Sequence, residues 1–279
     1  MSSDANSINL SEVFASMREL RDAKVVAELS NGPVSRSWQL DTAMGPVVLR
    51  LDMPLAAKLR LDRSAEIDVL KSAAAAGIGP EFVWADLERG LLLTRLLPGR
   101  SWTEEDISES ANLVRLGAVL SRVHSIPAVH ESPDLHATLA SYSEFLNTDK
   151  ARSTYLSAEK LLTELNVNCG KLVFCHKDPH CRNIVDNGEL RLIDWEYAGL
   201  GDPCFDLAVV VRQHQLKTWQ LNLLLEGYCR SRNCIDNFRL QQFCRLYDYV
   251  AVLWYMIASR GPLQSGSKLS VPEHYRDCL

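Results

Sequence analysis

The sequence predicts an α+β chain of two unequal lobes: a small antiparallel sheet with one helix over residues 1–97, then a larger, mainly helical part over residues 98–279. Three observations carry this prediction. Short runs of β-formers punctuated by Gly and Pro fill the first part. Apolar residues at three- and four-residue spacing fill most of the second. Where one pattern gives way to the other, Leu97-Pro98-Gly99-Arg100-Ser101 supplies residues that break regular structure, and this stretch reads as a linker.

In chain order, residues 11–20 have apolar positions at helical intervals behind a capping Ser or Asn, predicting a short lead-in helix. Lys24–Leu29, Arg36–Asp41 and Pro46–Leu51 read as an antiparallel meander. The connection from Ser30 to Ser37 contains Asn31, Gly32 and Ser35, residue types that let backbone N–H groups turn toward an anion. The third strand carries Arg50 among apolar residues, where an unpaired charge would be costly. Leu61–Ala76 reads as a helix capped near Asp62 or Ser64 and stopped at Gly77, with Glu66 in an early turn as a possible partner for Arg50. Phe82–Asp86 and Leu91–Leu96 complete a five-stranded lobe.

Beyond the linker, Thr103 followed by three acids marks a helix start. Ala111–His124, Leu135–Leu146 and Tyr155–Leu165 read as helices; His124 reads as structural, and His130 and His136 as residues of a polar loop. A short strand over 171–175 leads into Cys175-His176-Lys177-Asp178-Pro179-His180-Cys181-Arg182-Asn183. Ile184-Val185 and Leu190–Ile193 then flank a turn that leads to Asp194. Gly199–Pro203 reads as a loop, followed by helices over Pro203–His214, Trp219–Cys229 and Ile235–Ser259.

Asp178, Asn183 and Asp194 are small oxygen-bearing side chains on short turns between apolar runs. Phosphoryl transfer to an alcohol needs such a set: one carboxylate to take the hydroxyl proton, and an amide oxygen and a second carboxylate to hold Mg²⁺ against nucleotide phosphates. Asp178, Asn183 and Asp194 fill those roles in that order. A competing reading makes Cys175, His176, His180 and Cys181 a zinc site, but adjacent ligands crowd one tetrahedral ion and Asn183 and Asp194 are left without a purpose.

A net charge of −5 gives no reason to expect a nucleic-acid partner. No basic-then-apolar leader and no run of eighteen apolar residues is seen, so no membrane span is expected. The eight cysteines all fall from Cys169 onward without a CxxC pair. Reduced thiols in a soluble cytoplasmic protein are the expectation. The sequence carries no signal for oligomeric state.

His176-Lys177-Asp178-Pro179-His180-Cys181-Arg182-Asn183 resembles the HxDxxxxN motif of the aminoglycoside phosphotransferase and choline kinase superfamily, a relative of the protein kinases. Ile193-Asp194-Trp195-Glu196-Tyr197-Ala198-Gly199 and Asp202-Pro203-Cys204-Phe205-Asp206-Leu207-Ala208 resemble its IDWExAG and GDPxxDLA segments, as in choline-kinase-like and thiamine-kinase-like members. The resemblance implies a bilobal protein-kinase-like fold with ATP in the cleft and its adenine against Thr94, Arg95 and Leu96. Asp178 resembles the catalytic base, Asn183 and Asp194 the Mg²⁺ ligands, Arg50 the phosphate-side strand residue and Glu66 its helix partner. Under it, His176 is a structural residue of the loop. Two departures stand out: Arg50 replaces the protein-kinase lysine, and Pro179–Arg182 lacks the glycine that many members have there.

For the acceptor, Phe243, Tyr247 and Trp254 share one face of the last long helix, with Asp248 and Tyr255 beside them. Trp195, Glu196, Tyr197 and Asp202 could complete an aromatic and acidic cage for a cation. The expected acceptor is a small cationic alcohol of the choline or ethanolamine type, with thiamine and aminoglycosides as alternatives. A catalytically silent, nucleotide-binding protein is the alternative of another class.

Overall fold

The computed structural model describes residues 13, 14, 17, 20–59, 61–127, 135–167, 172–230, 235–260 and 273–276. Strands β1 (Lys24–Asn31), β2 (Ser35–Thr42) and β3 (Gly45–Asp52) form the expected meander. Helices α1 (Pro54–Lys58) and α2 (Arg63–Ala75) follow, then strands β4 (Phe82–Asp86) and β5 (Leu91–Arg95). The sheet order is β1-β2-β3-β5-β4, antiparallel throughout, so β5 enters beside β3 and leaves β4 at the edge. The short helix α1, opened by Pro54, lies in a stretch for which no element is expected from the sequence.

Alternation along β3 decides which face does what. Val47, Leu49 and Leu51 are buried against Trp38, Leu40, Leu91 and Leu93, while Val48 and Arg50 face the opposite side. The expected lead-in helix lies largely outside the described residues; Val13, Met17 and Leu20 pack on the apolar face of the sheet. On the other face, α2 is capped by Asp62, whose carboxylate accepts the N–H groups of Ser64 and Ala65. The chain leaving α2 is tied to the segment just before Asp194 by the backbone bond from Leu192 N–H to Ile78 O, 2.8 Å.

The linker is shorter than its composition suggests. Strand β6 (Arg100–Ser101) already pairs with β8 (Ile184–Asp186), which pairs with β9 (Leu190–Leu192). Gly99 at φ +120° permits this approach, because a Cβ there would overlap the carbonyl of Asp186.

The remaining helices are α3 (Glu104–Ser108), α4 (Ser110–Val123), α5 (Leu135–Leu146), α6 (Asp149–Val167), α7 (Pro203–Gln213), α8 (Thr218–Cys229), α9 (Asn237–Ala258) and the short α10 (Glu273–Arg276). They enclose one continuous apolar core. His136 sits on α5, not in a polar loop, and bonds Glu159 at 2.7 Å; His130 lies outside the described residues. Helices α4 and α8 cross at glycines: a Cβ at Gly117 would overlap Leu224 O, and one at Gly227 would overlap Val114 O. This backbone contact brings His124, at the end of α4, to the hydroxyl of Tyr228 at 2.7 Å. Gly199–Gly201, expected as a loop, is strand β10, paired with β7 (Val173–Cys175). Among the described residues, no helix is long and apolar enough to cross a membrane.

Candidate active site

Between the sheet and the helices lies a cleft of about 1330 Å³. Its floor is the loop from His176 to Asn183 together with Asp194. Two residues of this floor have left-handed backbone, Lys177 at φ +68° and Asp194 at φ +65°. Pro179–Arg182 contains no positive φ, so the glycine missing from that stretch is not needed for its turn.

The strained start of the loop is held by Asp206 of α7, which the sequence reading leaves without a role. Its carboxylate accepts the N–H of His176 at 2.8 Å and of Lys177 at 2.7 Å, and His124 Nε2–H at 3.0 Å. Burial works against ionising Asp206, but the hydrogen bond and charge of His124 and its other partners outweigh it and lower its pKa. His176 is fully buried: its Nε2–H donates to Ile193 O at 3.0 Å and its Nδ1 accepts the Asp178 N–H at 3.2 Å. Burial lowers its pKa to about 4, so the imidazole is a neutral strut between the two functional turns and not a base.

Asp178 projects into the cleft. Asn183 Nδ2 donates to its backbone oxygen at 3.0 Å and to Oδ2 at 3.1 Å, leaving Oδ1 for another partner. His180 Nε2 is 3.5 Å from the same Oδ2, and burial lowers the His180 pKa to about 3, making it a neutral polar neighbour. Burial, then the charges of Asp194 and Glu196, raise the Asp178 pKa well above the usual carboxylate range. Asp194 is pushed up to about 7 by desolvation and by Glu196, with Arg50 opposing. Carboxylates crowded into one cleft, with an amide oxygen beside them, form a hard all-oxygen donor set that fits Mg²⁺.

The sheet side of the cleft is built from ions. Arg50 grips Glu66 bidentately at 2.5 and 2.7 Å and stands 3.9 Å from Asp194. Arg63, one turn before Glu66 and unforeseen from the sequence, binds Asp52 at 2.7 and 2.8 Å, Glu66 at 2.9 Å and Glu196 at 2.9 Å. Burial favours neutralising these groups, yet their mutual attraction lowers the Glu66 pKa and raises that of Arg50. Asn31, Gly32 and Ser35 line the cleft at the β1–β2 turn, which closes with Gly32 N–H on Ser35 O at 3.0 Å. Thr94 and Leu96 line it from β5 and the connection beyond.

The side of the cleft facing the helices is aromatic. Trp254 Nε1–H donates to Tyr197 at 3.2 Å, and Tyr197 bonds Tyr142, a residue of α5 with no motif to mark it. Gln213 bridges Tyr255, at 3.3 Å, and Tyr247. Trp254 and Tyr255 meet edge to face with centroids 5.4 Å apart. Trp195 contributes to the cleft floor while almost buried between His176 and Phe174. Glu196 lines the cleft but is committed to Arg63.

Asp202 and Asp248, expected beside the acceptor, are not part of the cleft lining. Asp202 caps α7 and binds Arg239 at 2.6 and 2.8 Å, and Arg239 also stacks on Phe243. Asp248 faces Arg212 and Tyr275. The four residues of the zinc reading are not gathered into one group either, because both ring nitrogens of His176 are engaged elsewhere.

Residues 25–243 match the family described as the phosphotransferase enzyme family. The chain belongs to that family. Among relatives of this phosphotransferase, the protein LicA of Haemophilus influenzae is 25% identical over 227 residues, covering 74% of this chain and 82% of the relative. The fold is also that of the choline kinase LicA from Streptococcus pneumoniae, with a TM-score of 0.77 at 17% identity over 96% of this chain and 94% of that one. A LicA structure in complex with AMP superposes with a TM-score of 0.75 at 17% identity, covering 90% and 89%. The protein-kinase-like architecture expected from the motifs is therefore the architecture of this phosphotransferase.

Proposed function

We propose that the chain is an ATP- and Mg²⁺-dependent kinase that transfers the γ-phosphoryl group to the hydroxyl of a small cationic alcohol, choline first and ethanolamine second. One observation carries the reading: Asp178 shares its cleft with a box of Tyr142, Tyr197, Tyr247, Trp254 and Tyr255. Ring faces attract a cation through their quadrupole. The polar tips of these rings are engaged with one another or with Gln213, and Glu196 is held by Arg63. A primary ammonium brings three donors that need acceptors, whereas a quaternary ammonium brings none. This favours choline over ethanolamine.

In this reading Asp178 accepts the acceptor's hydroxyl proton at Oδ1, while Asn183 fixes Oδ2. Burial and the neighbouring carboxylates raise the proton affinity of Asp178, the direction in which a general base gains strength. Asn183 and Asp194 would hold Mg²⁺, which neutralises charge on the transferring phosphates. Arg50, oriented by Glu66, faces the phosphates from the sheet, and Thr94 to Leu96 back the adenine. The resemblance of the fold to an AMP-binding LicA supports nucleotide in this cleft. That the structurally similar LicA of Streptococcus pneumoniae is a choline kinase supports a choline-type acceptor over thiamine or an aminoglycoside.

The test is ADP release with ATP and Mg²⁺ across a panel of choline, ethanolamine, thiamine and an aminoglycoside. Choline should give the highest kcat/KM. No release above background with any alcohol, with nucleotide still bound, would leave the catalytically silent alternative in possession.

A further inference from the structure

Cys181 opens the 3-10 turn that carries Asn183, and its thiol lies against side chains from two other elements. Its Sγ is 3.6 Å from Oε1 of Glu104, in α3. Oε2 of the same glutamate accepts Nδ1–H of His214, the C-cap of α7, at 2.8 Å. Nε2 of His214 accepts the backbone N–H of Cys181 at 3.2 Å. Sγ, an imidazole nitrogen and a carboxylate oxygen thus lie within 4.8 Å of one another.

A thiolate, an imidazole and a carboxylate are the ligand types of Zn²⁺, whose bonds of roughly 2.0–2.3 Å set tetrahedral ligands about 3.4–3.8 Å apart. The 3.6 Å from Cys181 Sγ to Glu104 Oε1 falls in that range; the 2.8 Å hydrogen bond from His214 Nδ1 to Oε2 is shorter and has to open by roughly half an ångström, which Glu104 can allow because its side chain is 70% exposed. The other compact group among the described residues, His124 with Cys175 and Asp206, has no such freedom. It is wholly buried, and both carboxylate oxygens of Asp206 are already engaged.

We propose that Glu104, Cys181 and His214 form a regulatory site for a thiophilic divalent cation of the Zn²⁺ type, completed by water, whose occupancy releases the catalytic loop. Coordination through His214 Nδ1 moves the imidazole proton to Nε2, and the Cys181 thiol proton leaves to solvent. The new Nε2–H then faces the Cys181 N–H, so the bond that ties this part of the loop is lost. Asn183, two residues on, loses one of the ties that hold its turn in place. Linkage makes the effect reciprocal: ligands that hold the loop in place weaken the ion, and the ion weakens them. The regulatory half rests on the kinase reading, whereas ion binding does not.

Co²⁺ is the probe, because a thiolate bound to it absorbs in the near ultraviolet. Titrating the full chain with Co²⁺ under excess Mg²⁺ should develop this sulfur band at one ion per chain. The band should persist in Asp194→Asn, vanish in Cys181→Ser, and require about tenfold or more Co²⁺ in Glu104→Gln. No sulfur band, or one that survives Cys181→Ser, overturns the site whether or not any alcohol is phosphorylated. In the choline assay, Zn²⁺ should inhibit the wild type at about tenfold or more lower concentration than Glu104→Gln, whose changed side chain is solvent-exposed. Equal inhibition of the two proteins would place the zinc effect at the Mg²⁺ ligands and overturn the regulatory role.

Discussion

In the proposed reading, the two halves of the cleft recognise charge by opposite means. On the donor side, Arg50 and Arg63 are held by Asp52, Glu66 and Glu196 in short, mostly bidentate contacts. On the acceptor side, aromatic rings satisfy one another's polar tips and Glu196 is held by Arg63. A fixed ion network suits polyanionic phosphates because it keeps a guanidinium oriented without reorganising. An aromatic box suits a diffuse organic cation because it offers attraction without directional partners. In that reading Asp178 stands between the two halves.

The largest effect should come from Asp178 itself. Asp178→Ala should lower kcat about a thousandfold while retaining nucleotide binding, as read by steady-state kinetics and nucleotide titration. A loss of nucleotide affinity of the same size would erase the contrast between the halves. Glu66→Gln removes one charge from beneath two buried guanidiniums, and should destabilise the fold by about 3–5 kcal/mol in denaturant unfolding while raising KM for ATP.

Acid should act next, through His176. Its pKa is 6.5 when unfolded and about 4 when buried. Below pH 6.5 the unfolded chain takes up a proton that the folded chain refuses, so this contribution is complete above that pH and disappears as pH falls toward 4. The loss should be on the order of 3 kcal/mol, read as a falling denaturation midpoint, and His176→Gln should flatten it. Trp254→Ala should raise KM for choline by about tenfold and leave KM for ATP unchanged. The smallest effect belongs to Asp248→Asn: because this carboxylate faces Arg212 and Tyr275 outside the cleft, KM for choline should change less than about twofold. A large rise would bring the acceptor to the far side of α9.

What could be read in advance follows from how local each contact is. Asp178, Asn183 and Asp194 are joined by one short hairpin, so their spacing already implies proximity. Arg50 and Glu66 are only sixteen positions apart, with the short α1 between their elements, and a lone charge in an apolar strand announces a partner. Arg63 and Glu196 are separated by 133 positions, and no local pattern marks that contact. Asp206 belongs to a recognisable segment, but its role appears only when α7 is laid under the loop with Lys177 in a left-handed conformation. Strand β10 was hidden because two of its three residues are glycine, so backbone pairing with β7 and not side-chain pattern makes it a strand. On α9 the helical periodicity is readable, yet it does not say that Arg212 waits on the side where Asp248 emerges.

The glycine crossing of α4 and α8 reaches further than its distance from the cleft suggests. Gly117 and Gly227 set the helix separation at which His124 meets Tyr228; His124 orients Asp206, and Asp206 holds the amides of His176 and Lys177. An extra methyl group at either glycine would push two helices apart and arrive at the reaction centre as a misplaced carboxylate. In a mutational survey scored by activity alone, these two positions would be mistaken for members of the active site.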